Sequence, residues 1–321
     1  MPRPNFLVIM SDQHNRHVMS HAGDEFVRTP NLDRLARSGV SFPNTYCAAP
    51  LCVPSRMTFL TSQYPTDLQI WVNGGLLSSD TPTFAHPLSL AGWETTLCGR
   101  MHFVGPDQHH GFERRLVGDV SGAMRAVPGG RFEEVWSAAG AGQRYQGLLD
   151  NAVGPGLALY ESFDRDVTER TCQFLREHAR QSGDDRPFCT VVGMLLPHNP
   201  YVCAKELFEE YMDKLPAPEN VGEFPEDEHP AVRELRRYRG TDRITPEQAR
   251  RAQAAYYGLV TMTDRNIGRI IDTLAEEGLV EDTVIMYTSD HGDMAGEHSL
   301  WWKENFYEGS VGVPMIWSCP S

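Results

Sequence analysis

Four short apolar runs constrain the fold of this chain more than any other feature of its sequence. They are Phe6–Met10, Cys189–Leu196, Thr283–Tyr287 and the weaker Thr95–Cys98. Continuous apolar runs of this length, followed directly by polar or turn residues, are typical of strands that are buried on both faces. Such strands occur mainly in parallel sheets. We therefore predict a parallel sheet.

Helical patterns lie between these runs. Thr29-Pro30 supplies a cap and a first-turn proline for one helix, which ends at Gly39. Thr245–Gln248 forms a capping box that starts a long periodic segment reaching about Glu277. Tyr160–His178 has the pattern of a third helix. Strands that alternate with helices imply an α/β sandwich.

The charge balance of the chain excludes several classes of partner. The 321 residues include 43 Asp and Glu against 29 Lys and Arg, a formal charge of −14. This balance argues against non-specific binding to nucleic acid, because that binding requires cationic side chains. No apolar run approaches the roughly 18–20 residues that cross a bilayer. We therefore expect no nucleic-acid partner and no membrane span.

The N-terminus and the cysteines bear on the compartment. The first apolar run is too short for a signal peptide. The seven cysteines are scattered and form no C-x-x-C pair, unlike a secreted disulfide framework. We therefore expect a cytoplasmic protein.

Two stretches lack a clear periodic pattern. Val117–Pro155 is rich in Gly and Ala and predicts a long surface excursion, a type of segment that often sets specificity. Residues 214–245 carry Pro, Glu and Arg and predict a solvated connection. Neither stretch marks a clear boundary, so we treat residues 1–321 as one domain.

Polar residues follow the carboxyl end of each predicted strand. They are Asp12 and Gln13, His102, His198, and Asp290-His291. Taken one at a time, each of these residues is explained by helix capping or by core packing. Ligands of open α/β sheets bind in the crevice beyond the carboxyl ends of the strands, so polar residues at four such ends would meet in one crevice. Two aspartates, a histidine and the amide oxygen of Gln13 form a donor set that suits Ca²⁺, Mg²⁺ or Mn²⁺.

The strongest local signal is the segment Leu51-Cys52-Val53-Pro54-Ser55-Arg56. Pro54 fits the first turn of a helix, which places Cys52 at the helix N-terminus, where unpaired N–H groups favour anions. Arg56 lies one turn into that helix and could clamp the oxygens of an anion. A lone cysteine is more often a core residue, so the segment alone leaves both interpretations open.

Cys52-x-Pro54-x-Arg56 resembles the maturation signature of the sulfatases. Further segments match that family in order and spacing: Asn5–Gln13, Thr29–Leu32, Gly99–His102, Pro197–Tyr201, Ser289–Asp293 and Leu300–Glu308. Val104–Glu113 is most similar to the choline sulfatases and their relatives. The resemblance covers nearly the whole chain. It implies an alkaline phosphatase-like α/β sandwich, with a large, mostly parallel central sheet flanked by helices on both faces.

The resemblance also implies hydrolysis of small-molecule sulfate monoesters. In that family a formylglycine-generating maturation enzyme oxidises the cysteine to an aldehyde, whose hydrate attacks sulfur and re-forms the aldehyde as sulfate leaves. Cys52 would be this nucleophile and a ligand of the cation, for which we expect Ca²⁺, with Mn²⁺ or Mg²⁺ as alternatives. The other implied ligands are Asp12, Gln13, Asp290 and His291.

Roles for the remaining site residues follow from the same resemblance. His102 would be the base that drives loss of sulfate, and His198 with Lys303 would protonate the leaving oxygen. Asn73 would line the substrate pocket, although a turn role explains it equally well. Three cations would contact the sulfonate oxygens: Arg56, Arg100 and Lys303.

Three features depart from the family pattern. Arg100 stands where the family usually has lysine, which keeps the charge but changes the donor geometry. Many members have aspartate in place of Gln13, and others have asparagine in place of His291. The sequence stops at Ser321, before the smaller C-terminal subdomain of related enzymes, so both a fragment and a short family member are left open.

Two other functions stay open at this point. A phosphomonoester or phosphonate-ester hydrolase would act on a group of the same tetrahedral geometry, and relatives with the same ligand pairs prefer phosphorus. An inactive anion-binding relative would keep Cys52 as a thiol. We do not predict choline as the substrate, because Phe132, Trp136 and Tyr145 do not form the tryptophan-dense pattern of choline sulfatases. Aryl, carbohydrate and small alkyl sulfates are left open, and so is a homo-oligomer.

Overall fold

The computed structural model describes residues 3–119, 153–156, 158–181, 186–216 and 221–319. The strands of this part of the chain are β1 Asn5–Asp12, β2 Val40–Ser41, β3 Glu94–Gly99, β4 Arg114–Val117, β5 Val153–Pro155, β6 Phe188–Pro197, β7 Tyr201–Cys203, β8 Thr283–Ser289 and β9 Met315–Ser318. The α-helices are α1 Pro30–Arg37, α2 Cys52–Thr61, α3 Pro65–Leu68, α4 Ala85–Leu90, α5 Leu159–Arg180, α6 Lys205–Lys214, α7 Pro230–Arg239, α8 Pro246–Glu276 and α9 Glu308–Val311.

Seven strands form the central sheet, in the order β2-β9-β8-β1-β6-β3-β4. The five strands from β8 to β4 run parallel, whereas β9 is antiparallel to both β8 and β2. The predicted mostly parallel sheet is therefore confirmed. All four predicted strands are present, and their observed ends lie within a few residues of the predicted ones.

Helices cover both faces of the sheet. Leu7 and Ile9 of β1 join a core cluster with residues of α5 and α8, because alternate side chains of a strand point to the same face. Val8 packs against a second cluster that includes Val53 of α2 and Ala85 of α4. The predicted sandwich is confirmed. In the part of the chain that the structure describes, no helix combines the length and apolar character needed to cross a bilayer.

The helix predicted from Thr29-Pro30 is present as α1, but its N-terminus is capped from another helix. Asp264 of α8 accepts hydrogen bonds from the backbone N–H groups of Asn31 and Leu32, at 3.1 and 2.8 Å. The side chain of Thr29 makes no capping hydrogen bond to α1 and instead accepts from the backbone N–H of Ser20 at 2.9 Å. The capping box at the start of α8 is confirmed, with the Thr245 hydroxyl accepting from the Gln248 N–H at 3.2 Å.

Most of the described residues of 214–245 are exposed, as the predicted solvated connection requires, but the segment is more than a connection. The segment contains α7, and Arg236 of this helix is 2% exposed and donates to both carboxylate oxygens of Glu228 at 2.6 Å. Arg239 is also buried and pairs with Glu304. The pairing of these charges removes much of the cost of burying them. Of the predicted surface excursion at 117–155, residues 120–152 lie outside the described residues.

A buried carboxylate stabilises an irregular end of β6. The register between β1 and β6 shifts from Met10 opposite Gly193 to Asp12 opposite Pro197, which places extra residues on β6. Asp164 of α5 is fully buried and accepts from the backbone N–H groups of Leu195 and Leu196, at 2.7 and 2.8 Å. These bonds replace strand pairing just before the chain reaches the site.

Candidate active site

The ends of the parallel strands bring the predicted site residues together. Asp12 ends β1 and Asp290 directly follows β8, the neighbouring strand. Arg100 follows β3, and its backbone N–H donates to the Gly193 carbonyl of β6 at 2.8 Å. The site therefore lies at the carboxyl edge of the sheet, where the sequence predicts a crevice.

Cys52 lies at the centre of the site. It is the first residue of α2 and is 1% exposed. Its Sγ lies 3.3 Å from His291 Nε2 and 3.9 Å from Asp12 Oδ1. Ligand atoms of Cys52, Asp12, Asp290 and His291 all lie within 4.8 Å of one another. Asn73 accepts from the Val53 N–H at 3.0 Å, and so contacts the first turn of this helix.

Arg56 connects the carboxylates of the site. Its Nε donates to Asp290 Oδ2 at 2.8 Å and its Nη2 donates to Asp12 Oδ2 at 3.0 Å. Its Nη1 donates to the backbone carbonyl of Arg100 at 2.9 Å. Every nitrogen of this guanidinium thus has a protein acceptor. The sulfonate contact of Arg56 stays a prediction.

Arg100 has a similar set of contacts. Its Nε donates to Asp12 Oδ2 at 2.6 Å, and its Nη1 lies 3.6 Å from Asp119 Oδ1. Its Nη2 donates to His102 Nδ1 at 2.8 Å. Because a guanidinium only donates, the hydrogen-bond network assigns the proton of a neutral His102 to Nε2. The role of base therefore requires His102 to exchange this proton, and it stays a prediction.

Lys303, His198 and Gln13 form a second group. Lys303 donates to Gln13 Oε1 and, at 2.9 Å, to His198 Nε2. His198 Nδ1 lies 2.5 Å from the carbonyl oxygen of Asn199, which is an acceptor only. The network thus assigns the proton of the imidazole to Nδ1. In the pair of Lys303 and His198, the proton between the two side chains is therefore carried by Lys303.

The buried charges of the site shift one another's protonation. Burial opposes ionisation of Cys52, but the charges of Lys303 and His291 outweigh it and hold the pKa of the thiol well below its ordinary value. Burial and the neighbouring thiol also oppose ionisation of Asp12, but Arg100 and other cations keep its pKa low. The pKa of His291 is raised, because Asp290 outweighs the effect of burial. These shifts favour an ionised, polar site.

The donor chemistry fits a divalent cation. Oδ1 of Asp12 faces the thiol and the imidazole, while Oδ2 accepts from both arginines. Because Arg56 and Arg100 hold Oδ2, they direct Oδ1 of Asp12 toward the cluster. Two carboxylates and an imidazole are ligands that Ca²⁺, Mn²⁺ and Mg²⁺ accept. The cluster is buried, so a bound cation would be shielded from water.

Sequence reasoning missed three residues that contact the site. Asp119 follows β4 and accepts from the His102 N–H, and the rule that polar residues after strands face the crevice could have found it. Tyr160 packs its ring edge-on against His198, with centroids 5.8 Å apart. Asp293 accepts from Gln13 Nε2. Tyr160 carries no local sequence signal for its contact, whereas Asp293 lies in the segment Ser289–Asp293 that follows β8 and could have been found by the same rule as Asp119.

Comparisons with known proteins agree with this geometry. The family model described as sulfatase matches residues 4–321. The choline-sulfatase of Rhizobium meliloti (strain 1021) is 36% identical, over 99% of this chain and 63% of that protein. The arylsulfatase of Clostridium perfringens (strain 13 / Type A) is 29% identical, over 98% of this chain and 68% of that protein.

A solved structure is also similar. The phosphonate monoester hydrolase of Silicibacter pomeroyi is 25% identical, with a TM-score of 0.75 over 99% of this chain and 68% of that chain. The present chain thus spans between 63% and 68% of the length of these three proteins. Because the family model covers nearly all of its residues, the chain belongs to the sulfatase family.

Proposed function

We propose that this chain hydrolyses small-molecule sulfate monoesters, with Cys52 as the precursor of its nucleophile. The observation that carries the proposal is the position of the Cys52 Sγ among the ligand atoms of Asp12, Asp290 and His291. The family match and the names of two relatives support it. Ca²⁺, or else Mn²⁺ or Mg²⁺, would supply Lewis-acid stabilisation of negative charge, and formylglycine derived from Cys52 would supply the attacking oxygen.

The side chains of the site would position and protonate the substrate. Arg56 and Arg100 hold the two carboxylates in place through short hydrogen bonds. Lys303 would donate a proton to the leaving oxygen, and His198 Nε2, which accepts from it at 2.9 Å, would share that proton. Arg56, Arg100 and Lys303 are buried and His198 is half-buried, which limits the access of water and strengthens their electrostatic contacts.

The nucleophile is tested by substitution. Cys52→Ala should abolish turnover of 4-nitrophenyl sulfate while the circular dichroism spectrum stays that of the wild type. Cys47→Ala is the matched control, since Cys47 is a partly buried thiol five residues earlier that does not belong to the ligand cluster described above. Turnover by a folded Cys52→Ala variant would mean that another residue attacks sulfur.

The proton donor is tested with a series of aryl sulfates. Loss of the imidazole in His198→Ala should slow phenyl sulfate, which has a poor leaving group, more than 4-nitrophenyl sulfate. Equal losses across the series would remove His198 from protonation of the leaving oxygen.

A phosphonate-ester hydrolase is the alternative that an observation favours. The similar structure from Silicibacter pomeroyi is a phosphonate monoester hydrolase. Much faster cleavage of a 4-nitrophenyl phosphonate ester than of the sulfate would favour this alternative. Mass spectrometry of the peptide that contains Cys52 separates both enzymes from the inactive relative, which would keep only the thiol after co-expression with a maturation enzyme. The cytoplasmic location, the maturation enzyme and a homo-oligomer stay predictions.

A further inference from the structure

Gln13 is buried between a donor and an acceptor. Its Oε1 accepts from Lys303, and its Nε2 donates to Asp293 Oδ2 at 2.5 Å and to Asn199 Oδ1 at 3.4 Å. The side chain is 0% exposed, so water cannot replace a lost partner. The two ends of an amide have nearly the same shape but opposite hydrogen-bonding sense. Its partners therefore decide which end of the amide faces Lys303.

The backbone of Gln13 is held independently of its side chain. The residue has a φ of 70°, in the left-handed region. Its N–H donates to Asp290 Oδ1 at 3.1 Å, and its carbonyl accepts from the Tyr256 hydroxyl at 2.8 Å. The terminal amide can therefore rotate by half a turn while the main chain of Gln13 stays where it is.

Asp293 is itself fixed by four donors. Its Oδ1 accepts from the backbone N–H groups of Ala295 and Trp302, at 2.7 and 3.1 Å. Its Oδ2 accepts from the Tyr201 hydroxyl at 2.5 Å, in addition to Gln13. A carboxylate bound in this way presents only an acceptor to Gln13. The reversed amide would place its oxygen against the Asp293 carboxylate and its NH₂ group against the Lys303 ammonium.

We propose that Asp293 is a positioning residue that fixes the orientation of the Gln13 amide, so that an oxygen faces Lys303 and the proposed cation. The proposal rests on the cation site of the proposed function. An NH₂ group in the same place would repel a cation, whereas the oxygen is a ligand that Ca²⁺ and Mn²⁺ accept. Asp293 thus acts on the cation through Gln13.

The role of Asp293 is tested by exchanging the carboxylate of Asp293 and the amide of Gln13 between the two positions. Asp293→Asn keeps an oxygen for the backbone N–H groups but presents an NH₂ group to Gln13, which reverses the amide. We expect Ca²⁺ binding, measured by calorimetry on the metal-free protein, to weaken by about tenfold or more. Adding Gln13→Glu supplies an acceptor for that NH₂ group and keeps the total charge of the wild type. Affinity in the double variant should return to within about threefold of the wild type.

The matched control is another buried carboxylate of the site. Asp119 contacts His102 and Arg100, and no hydrogen bond between it and Gln13 is seen among the described residues. Combining Asp119→Asn with Gln13→Glu measures how an added negative charge at position 13 changes the affinity for Ca²⁺ when the hydrogen bond between residues 13 and 293 has not been exchanged. Rescue should be specific to the pair with Asp293.

The outcomes are distinct. Equal effects of Gln13→Glu in the Asp119→Asn and Asp293→Asn proteins would overturn the proposal, because charge alone would then explain them. If Asp293→Asn alone does not fold, a folded double variant that binds Ca²⁺ supports the proposal, and an unfolded one overturns it. Since the readout is cation binding without substrate, a wild type that binds Ca²⁺ but cleaves no sulfate ester would contradict the proposed function only.

Discussion

Asp164→Asn should change how the stability of the protein depends on pH. Burial raises the pKa of Asp164 to about 7, although the N–H groups of Leu195 and Leu196 oppose this shift. In the unfolded chain the carboxyl has its ordinary pKa, near 3.8. Between these two values the folded state holds a proton that the unfolded state has released. The free energy of unfolding contributed by this group therefore falls as pH rises through that interval.

The size of the effect follows from the difference in pKa. One pKa unit corresponds to about 1.36 kcal/mol, so a rise from about pH 5 to about pH 8 should cost the wild type roughly 3 kcal/mol through this residue. Asparagine does not titrate, so this part of the slope should be absent from Asp164→Asn. A constant loss is expected in addition, because the new NH₂ group faces a backbone N–H.

The measurement is urea unfolding of the metal-free protein, followed by tryptophan fluorescence at several pH values, with refolding checked at each. The difference in unfolding free energy between wild type and variant should shrink as pH rises. Asp213→Asn is the control, since Asp213 is exposed on α6 and its replacement should leave a parallel profile. Parallel profiles for the wild type and Asp164→Asn would refute the assignment of the slope to Asp164.

Three further changes have expected outcomes. Asn73→Ala removes the acceptor of the Val53 N–H and should cost about 1 kcal/mol in thermal unfolding; an equal loss in Asn73→Asp, which keeps an acceptor, would contradict this. Gly193→Ala would place a Cβ 1.8 Å from the Arg100 carbonyl oxygen and should cost about 3 kcal/mol. Gly74→Ala meets nothing within 4 Å and should be neutral; similar losses in the two alanine variants would remove the steric argument. Ca²⁺ at about one hundred times its dissociation constant should stabilise the fold by roughly 2.7 kcal/mol, reversibly with EDTA, and an unchanged melting temperature would argue against the cation site.

Much of the sheet could be predicted from the sequence, because its central strands are buried on both faces and leave unbroken apolar runs. β4 was missed because it begins with Arg114 and Arg115 and lies at the edge of the sheet, where one side of the strand needs no cover. The two-residue β2 is shorter than any periodic signal. Strand prediction from apolar runs therefore succeeds for the central strands β8, β1, β6 and β3 and fails for the outer strands β2, β9 and β4.

The sequence predicted which residues form the site but not which of them contact one another. Asp12 and Asp290 were expected together because strand ends share one edge of a sheet, and Cys52 was placed with them by the resemblance to the sulfatases. The partners of each charge could not be derived, because they depend on residues far away in the chain. Arg100, expected at the sulfonate, is bound to Asp12 and His102. For the same reason the sequence did not indicate that Arg236 and Glu228 are buried as a pair within a largely exposed segment.

Arg56 joins three strand ends that are far apart in the order of synthesis. It contacts Asp12 from the start of the chain, the Arg100 carbonyl, and Asp290, which lies 234 residues beyond it. A chain emerging from the ribosome therefore has no complete version of this centre until the residues around Asp290 have been translated and paired. The contacts of Arg56 with Asp12 and with the Arg100 carbonyl use residues that are made much earlier, so Asp290 is the part of the centre that is synthesised last.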